Sequence, residues 1–451
     1  MGKILLYYPS FSRDAKEKTL YTDLPLSVIT LAAQLHHKYN TEIIDARIDH
    51  LAEYELIKKL QDVFLVGVSA TTSYQIINGL HFAGLVRRHF PQIKIVWGGW
   101  HPSLMPAESI RHEFVDVVIV GQGERIIGTL ADCIRRNSDL QSVPNIYYKD
   151  NTGKIHRSRQ ITFHNLQMPE NIVRGYQYVN IERYIHGGWG NRRILGYESS
   201  RGCAYSCRFC SISAVFQRKW YGLPSFCVCH DILWLKKNYG IDAVHFFDNN
   251  FFVEKDRAKK IAGLFLENAI NIRWDGTVVV SQFLHFTKRE LDLLKQSGFY
   301  RVIVGVESGD EEVLTKINKR HTNQQILELV RRCREYDIMP SLSFMVGFPW
   351  HPEQDTENTI RLIEEVKRIN ENTEILLFVF SPYLGTPLYA TAKEFAMQFP
   401  DSLEGWADFT YDRTNTPWVS SKLNRKLQRY LRFFGTKELG ENERGFYSGF
   451  E

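Results

Sequence analysis

The stretch from Ser199 to Ser213 reads SSRGCAYSCRFCSIS and places three cysteines, Cys203, Cys207 and Cys210, in CxxxCxxC spacing. Thiolates are soft ligands that suit zinc and iron–sulfur clusters. A structural zinc site takes four ligands and usually shows paired CxxC units. Here the fourth thiol is missing locally. Cys227 and Cys229 follow nearby, but a CxC pair after a helical stretch fits the site poorly. A cubane [4Fe–4S] cluster normally takes four thiolates. Three thiolates leave one iron with an open coordination position for a substrate or cofactor, which gives an odd number a physical use. The bland alternative is a zinc loop, or three unrelated thiols.

Working outward, RILGYESS (193–200) leads into the cysteine loop as a strand. IDAVHFFDNN (241–250), IRWDGTVVV (272–280), YRVIVGVESG (300–309), MPSLSFMVGFP (339–349) and EILLFVFSP (374–382) follow, each preceded by a helical stretch. In one of these stretches Ile360, Ile363, Val366 and Ile369 fall close to one helical face. This alternation over 194–390 predicts a partial (β/α)6 barrel, whose chemistry belongs at the C-terminal ends of the strands. The cysteine loop stands at the end of the first of them.

The front of the chain has the same habit. KILLYY, TEIIDA, VFLVGVSA, IKIVWGG and VDVVIVG are apolar runs of strand length separated by amphipathic pieces. Such runs predict a doubly wound parallel sheet over 1–145. Several end at glycine or serine: Ser69, Gly98, Gly99 and Gly121. Ligands in open parallel sheets bind outside those carboxyl ends. No G-x-G-x-x-G follows the first strand, which disfavours a Rossmann dinucleotide site. Residues 146–193, with a hairpin expected at Asp150–Gly153, read as a linker. Residues 391–451 read as a mostly helical C-terminal extension.

A chain of 451 residues suits two or three domains. A formal net charge of +5 with interspersed signs gives no argument for nucleic acid or membrane. The opening MGKILLYYPS reads as a strand rather than a signal peptide, and no apolar run approaches the ~20 residues of a spanning helix. These features predict a cytoplasmic protein, in which seven cysteines are metal-binding, catalytic or buried thiols rather than disulfides. Cys133 and Cys333, inside helical stretches, read as small buried hydrophobes.

SRGCAYSCRFCS (200–211), with the aromatic Phe209 before its third cysteine, resembles the cluster loop of the radical S-adenosylmethionine (SAM) superfamily. The resemblance covers about 194–390. It implies that Cys203, Cys207 and Cys210 hold a [4Fe–4S] cluster whose open iron chelates SAM, the source of a 5′-deoxyadenosyl radical. FFDNNF (246–251) stands where that family contacts the SAM amino group, which suggests Asp248 and Asn249, although the commoner form there is glycine-glycine-glutamate. By the same resemblance Ser281 would meet the ribose, and VIVGVESG (302–309) contributes Gly305 and Glu307. MVGFP (345–349) and FSPYLGTPLY (380–389) resemble the last strands of the cobalamin-using branch. Taken alone, Glu307 is equally a structural carboxylate facing a helix N-terminus.

Residues 1–145 resemble the cobalamin-binding domain that precedes the barrel in that branch, on VGVSATTSYQIINGL (66–80), WGGWHPSLMPAE (97–108) and VDVVIVGQGE (115–124). The resemblance implies cobalamin contacts from Ser69, Thr71, Thr72, Tyr74, Gln75, Gly98, Gly99, His101, Gly121 and Glu124. One departure is visible. The loop YPSFSRDAK (8–16) has no histidine where a D-x-H-x-x-G loop would supply a ligand to cobalt. Cobalamin bound with neither a protein histidine nor its own base on cobalt is therefore expected. His101 reads as a contact to the nucleotide tail, or as a satisfied surface histidine.

The implied activity is a cobalamin-dependent radical SAM reaction. The expected form is methylation of an unactivated carbon, or of phosphorus, in a small molecule such as a natural-product intermediate. It needs a reductant such as flavodoxin or ferredoxin and involves no nucleic acid or membrane. A non-methylating cyclisation, oxidation or rearrangement is the nearest rival, and a non-catalytic cobalamin or iron–sulfur sensor is the rival of another class. Tyr176, Tyr178, Tyr184, Trp189, Trp406 and Tyr411 are candidates for shaping a pocket or for packing.

Overall fold

The structure is a computed structural model that describes residues 2–13, 22–160, 172–188, 192–409 and 416–437. It divides into two compact units. The first takes in the described residues up to Tyr184 together with 399–409; the second takes in Ile185–Gln398 and 416–437.

The first unit is built on a seven-stranded sheet. Its strands are β1 (Lys3–Tyr8), β2 (Asn40–Asp45), β3 (Val63–Ser69), β4 (Lys94–Gly98), β5 (Val117–Ile119), β6 (Ile146–Lys149) and β7 (Ile155–Arg157). Their order is β2-β1-β3-β4-β5-β6-β7, with β1 to β5 parallel and the β6–β7 hairpin antiparallel. Ile4, Leu5, Leu6, Leu65, Val66, Ile95 and Trp97 are buried, as strands covered on both faces require. The described residues of 146–184, part of the stretch 146–193 expected as a linker, fall in this unit. The reason is local: Ile146–Lys149 finds a free edge at β5 and pairs with it. Tyr184 then donates to Asp45 at 2.9 Å.

Residues 399–409 also belong here because Trp406, fully buried, packs against His101, Phe399 and Phe409. Tyr176 and Tyr184 are likewise buried, so these aromatics do packing work in the first unit. Trp189, Tyr411 and residues 14–16 of the front loop lie outside the described residues.

The second unit holds a seven-stranded sheet that curls into a partial barrel. Its strands are β8 (His186–Gly188), β9 (Arg192–Tyr197), β12 (Ala243–Phe246), β13 (Arg273–Val278), β14 (Phe299–Glu307), β15 (Met339–Val346) and β16 (Glu374–Val379). A two-stranded ribbon, β10 (Ser200–Gly202) and β11 (Trp220–Gly222), stands beside it. Apart from the antiparallel β8–β9 pair, neighbours in the large sheet are parallel. Helices enter cleanly where a cap is coded. Thr322 accepts from the Gln325 amide and Gln325 returns the bond, which starts the helix Asn323–Glu335.

On the face of the sheet that its helices cover, Phe246, Phe251, Phe252, Trp274 and Phe299 are in mutual contact, and Phe265 of the helix Lys255–Glu267 joins them. On the opposite face of the same strands runs a buried charged chain. His245 meets Asp275 at 2.7 Å, Arg301 donates to Asp275 at 3.1 Å, and Arg301 Nε donates to Glu374 at 2.9 Å. A buried arginine persists because β13 on one side and β16, beyond β15, on the other each supply a carboxylate. No helix among the described residues is long and apolar enough to cross a membrane.

Candidate functional site

The cysteine loop occupies 203–210, between β10 and the helix Ser211–Val215. Its backbone is pinned from several directions. Arg208 donates its amide to Ile317 O at 3.0 Å, and its carbonyl accepts from Leu388 N at 3.1 Å. Asn318 donates to the Ser206 carbonyl and hydroxyl, both at 2.9 Å. Phe209 packs on an apolar cluster that includes Leu314, Ile317, Phe348 and Phe380. The aromatic before the third cysteine thus anchors the loop to the barrel.

The three thiols are free and half-buried. Burial pushes each of them above the ordinary thiol range, Cys210 to about 12. They also act on one another electrostatically, Cys203 on Cys207 and both on Cys210, while the Lys319 ammonium pulls all three down. Such thiols become thiolates only against a positive centre. Among the described residues no three His, Cys, Asp or Glu side chains converge as they would on a single metal ion. Three thiols near enough to act on one another suit a cluster, whose irons each take a separate thiolate.

Asp248, expected to contact SAM, has a different task. It is fully buried and accepts from Ser199 N at 2.7 Å, from Ser199 Oγ at 2.6 Å and from Ser200 Oγ. Arg257 closes the group by donating to Ser199 O at 2.8 Å and Ser199 Oγ at 2.9 Å. Burial raises the Asp248 carboxyl, with Arg257 and the two serines opposing. Its work is to fix the turn from β9 into β10, four residues ahead of Cys203. Its neighbour Asn249 is exposed. Asn250 is the member of the trio that faces the cluster loop: it is buried, and its side chain acts to lower the Cys203 thiol against the effect of burial. Its amide also donates to Gln282 at 3.2 Å.

Ser281 lies in the first turn of the short helix Val280–Leu284, half-buried. β13 stops at Val278, short of the expected VVV run, because Val279 and Gln282 start that helix.

The end of β14 is unusual. The β14–β15 register slips between Gly305 and Glu307, so Val306 is an inserted residue. Glu307 carries a φ of 74°, a left-handed backbone that a non-glycine residue holds at a cost. Bulges of this kind re-aim side chains beside active sites. Glu307 here turns onto Lys319 at 2.9 Å, and Lys319 also donates to Gly305 O at 2.8 Å. A Cβ on Gly305 would sit 2.3 Å from Glu307 Oε1 and 2.9 Å from Lys319 Nζ. The glycine is therefore what lets this ion pair lie across the strand.

In the first unit, several expected residues gather at the carboxyl ends of β3, β4 and β5. Ser69 Oγ lies 2.9 Å from Ser27 Oγ, and Glu124 accepts from Thr30 at 2.8 Å. Nothing lies within 4 Å of a Cβ built on Gly98 or on Gly121, so both positions open into free space. That is the cradle a flat ligand needs. Gly99 differs: with φ 99°, its Cβ would meet Ala70 O at 2.7 Å.

Two of the expected contacts, Gln75 and His101, turn inward, and a third, Tyr74, is tied up near the surface. Gln75 is fully buried, accepting from Thr71 N at 3.0 Å and donating to Pro9 O at 2.8 Å. Tyr74 donates to Asp408. His101 is no surface residue: it is fully buried, its Nδ1 lies 3.0 Å from Thr72 Oγ1, and burial depresses it to about 4. These side chains hold the loop 70–75 in place. Cys227 and Cys229 lie on the helix Ser225–Tyr239, where the buried Cys229 sits 3.8 Å from Leu264 O.

The model of the radical SAM superfamily matches residues 197–363, and the model of the B12-binding domain matches residues 16–131. The chain belongs to the radical SAM superfamily.

Within this superfamily it is a cobalamin-dependent enzyme, whose cofactors are a [4Fe–4S] cluster, SAM and cobalamin. It is 26% identical over 396 residues to an uncharacterised methyltransferase of Pyrococcus horikoshii, covering 86% of this chain and 83% of that one. It is 22% identical over 383 residues to an anaerobic magnesium-protoporphyrin IX monomethyl ester cyclase of Synechocystis, covering 82% and 73%. Among solved structures, the radical SAM methyltransferase TsrM of Kitasatospora setae, with cobalamin and a [4Fe–4S] cluster bound, matches with a TM-score of 0.71 at 19% identity, covering 88% and 79%. This last likeness is one of fold.

Proposed function

We propose that this enzyme methylates an unactivated carbon, or phosphorus, of a small molecule such as a natural-product intermediate. The observation that carries this reading is the likeness to the Pyrococcus horikoshii methyltransferase over 86% of the chain, which takes in both the cobalamin-type and the cluster-bearing parts.

In this reading Cys203, Cys207 and Cys210 hold the cluster, and the buried Asn250 favours the Cys203 thiolate. Asn249, Ser281, Gly305 and Glu307 frame the place for SAM. Gly98 and Gly121 give the corrin room, and Ser69, Thr71, Thr72 and Glu124 supply a polar rim. Tyr74, Gln75, Gly99 and His101 keep that rim in shape. When bound, the cluster supplies the electron that opens a C–S bond of SAM, and cobalamin carries the methyl group. The chain's own contribution is placement and the exclusion of water. A one-electron donor such as flavodoxin or ferredoxin supplies the reducing equivalents.

The test is incubation of the anoxically prepared enzyme with SAM labelled in its methyl group and a small-molecule extract of the source cells. Label in a product together with 5′-deoxyadenosine is the expected result. The nucleoside without labelled product would overturn methylation in favour of ring formation, oxidation or rearrangement. That second reading is favoured by the cyclase of Synechocystis, whose likeness spans 82% of this chain.

A further inference from the structure

Lys319 is absorbed by none of the roles above. It follows the helix Glu311–Lys316, and its position is set by the backbone: Asn318 takes a left-handed φ of 59°, and Lys319 N bonds Leu314 O at 2.8 Å. The capped helix at Asn323 begins four residues later. The side chain is nearly buried, with 12% of its surface exposed. Its ammonium bonds Glu307 and Gly305 O and lies 5.8 Å from the centre of the Phe209 ring, one residue before Cys210. Although burial opposes its charge, Glu307 and then Cys207 and Cys210 hold the ammonium above its ordinary value.

From this juxtaposition we infer that Lys319 sets the reduction potential of the cluster, as a fixed positive charge held against the cysteine loop by Glu307. The inference rests on the reading that Cys203, Cys207 and Cys210 hold the cluster. Reduction adds one electron, taken from an external one-electron donor, and no bond or proton at Lys319 changes. A cation beside the thiolates stabilises the more negative, reduced state. Glu307 holds the cation in place and partly offsets it. Removing Lys319 alone therefore leaves Glu307 as an unbalanced anion and changes the local charge by a full unit.

The experiment compares wild type, Lys319→Gln, Lys319→Arg and the double variant Lys319→Gln with Glu307→Gln, each reconstituted without oxygen and matched for iron and sulfide. A redox titration followed by EPR reads the cluster directly and needs no substrate. For Lys319→Gln the reduction equilibrium should fall about tenfold, a potential about 59 mV more negative. Lys319→Arg should stay within about twofold of wild type, and the double variant should recover most of the loss. A Lys319→Gln protein with full iron and an unmoved potential overturns the inference, as does an arginine variant that behaves like the glutamine one. An unmoved potential with weakened SAM binding would instead assign Lys319 to that cofactor and also overturn it. Full cluster absorbance in Cys207→Ala would sink the parent reading, leaving the two failures distinct.

Discussion

Asp248→Asn separates a structural carboxyl from a cofactor contact. Three donors converge on Asp248: Ser199 N, Ser199 Oγ and Ser200 Oγ. An asparagine keeps one acceptor oxygen and turns an amide nitrogen toward the rest, so at least one buried donor is stranded. A stranded donor costs about 1–3 kcal/mol. In a unit of this size that converts to about 2–4 °C per kcal/mol, so a fall of roughly 2–12 °C is expected in a thermal unfolding scan of the anoxic holoenzyme. Because the damaged turn leads into the loop of Cys203, iron content should fall in parallel. The affinity of SAM for the fraction that retains a full cluster should be unchanged. The reverse pattern, an unmoved transition with SAM binding weakened tenfold or more, would refute the assignment and return Asp248 to the cofactor.

The buried Asp355 carboxyl accepts from Ser308 Oγ at 2.5 Å, and burial raises it from 3.8 to about 7. The folded chain therefore holds that proton more tightly than the unfolded one. The contribution, at most about 4 kcal/mol, is complete below about pH 4 and is lost as pH rises through 7; Asp355→Asn should flatten this part of a plot of Tm against pH. Arg301→Met leaves Asp275 and Glu374 buried without their cation and should cost about 3–5 kcal/mol, read as a lowered denaturation midpoint. The paired glycines should part company: Gly98→Val, with open space for its side chain, should fold normally but lose bound cobalamin absorbance. Gly99→Ala, with its Cβ 2.7 Å from Ala70 O, should destabilise the first unit itself.

Much of the fold was legible because strands covered on both faces leave continuous apolar runs. KILLYY coincides with β1, and YRVIVGVESG contains β14 almost entirely. The three cysteines were legible because their ligand spacing is local. Asp248, Asn249 and Asn250 were not separable by spacing alone. Which of them is buried depends on Ser199 and Ser200, nearly fifty residues away, and a buried carboxyl with three donors looks no different in sequence from an exposed one. Lys319 was invisible for the same reason, since its partner Glu307 is reached only through a bulge and a left-handed backbone that no pattern announces. The burial of His101, read as a tail contact or a surface histidine, was not legible because Trp406, which packs against it, lies some three hundred residues on.

The central claim is that Cys203, Cys207 and Cys210 bind a four-iron cluster with one iron left open to SAM. EPR of the reduced, anoxically reconstituted protein, recorded before and after addition of SAM, tests this most directly. The account predicts one [4Fe–4S] cluster per chain whose signal changes on SAM binding and is lost in each cysteine-to-alanine variant. Bound zinc in place of iron, or a cluster whose signal ignores SAM, would contradict it.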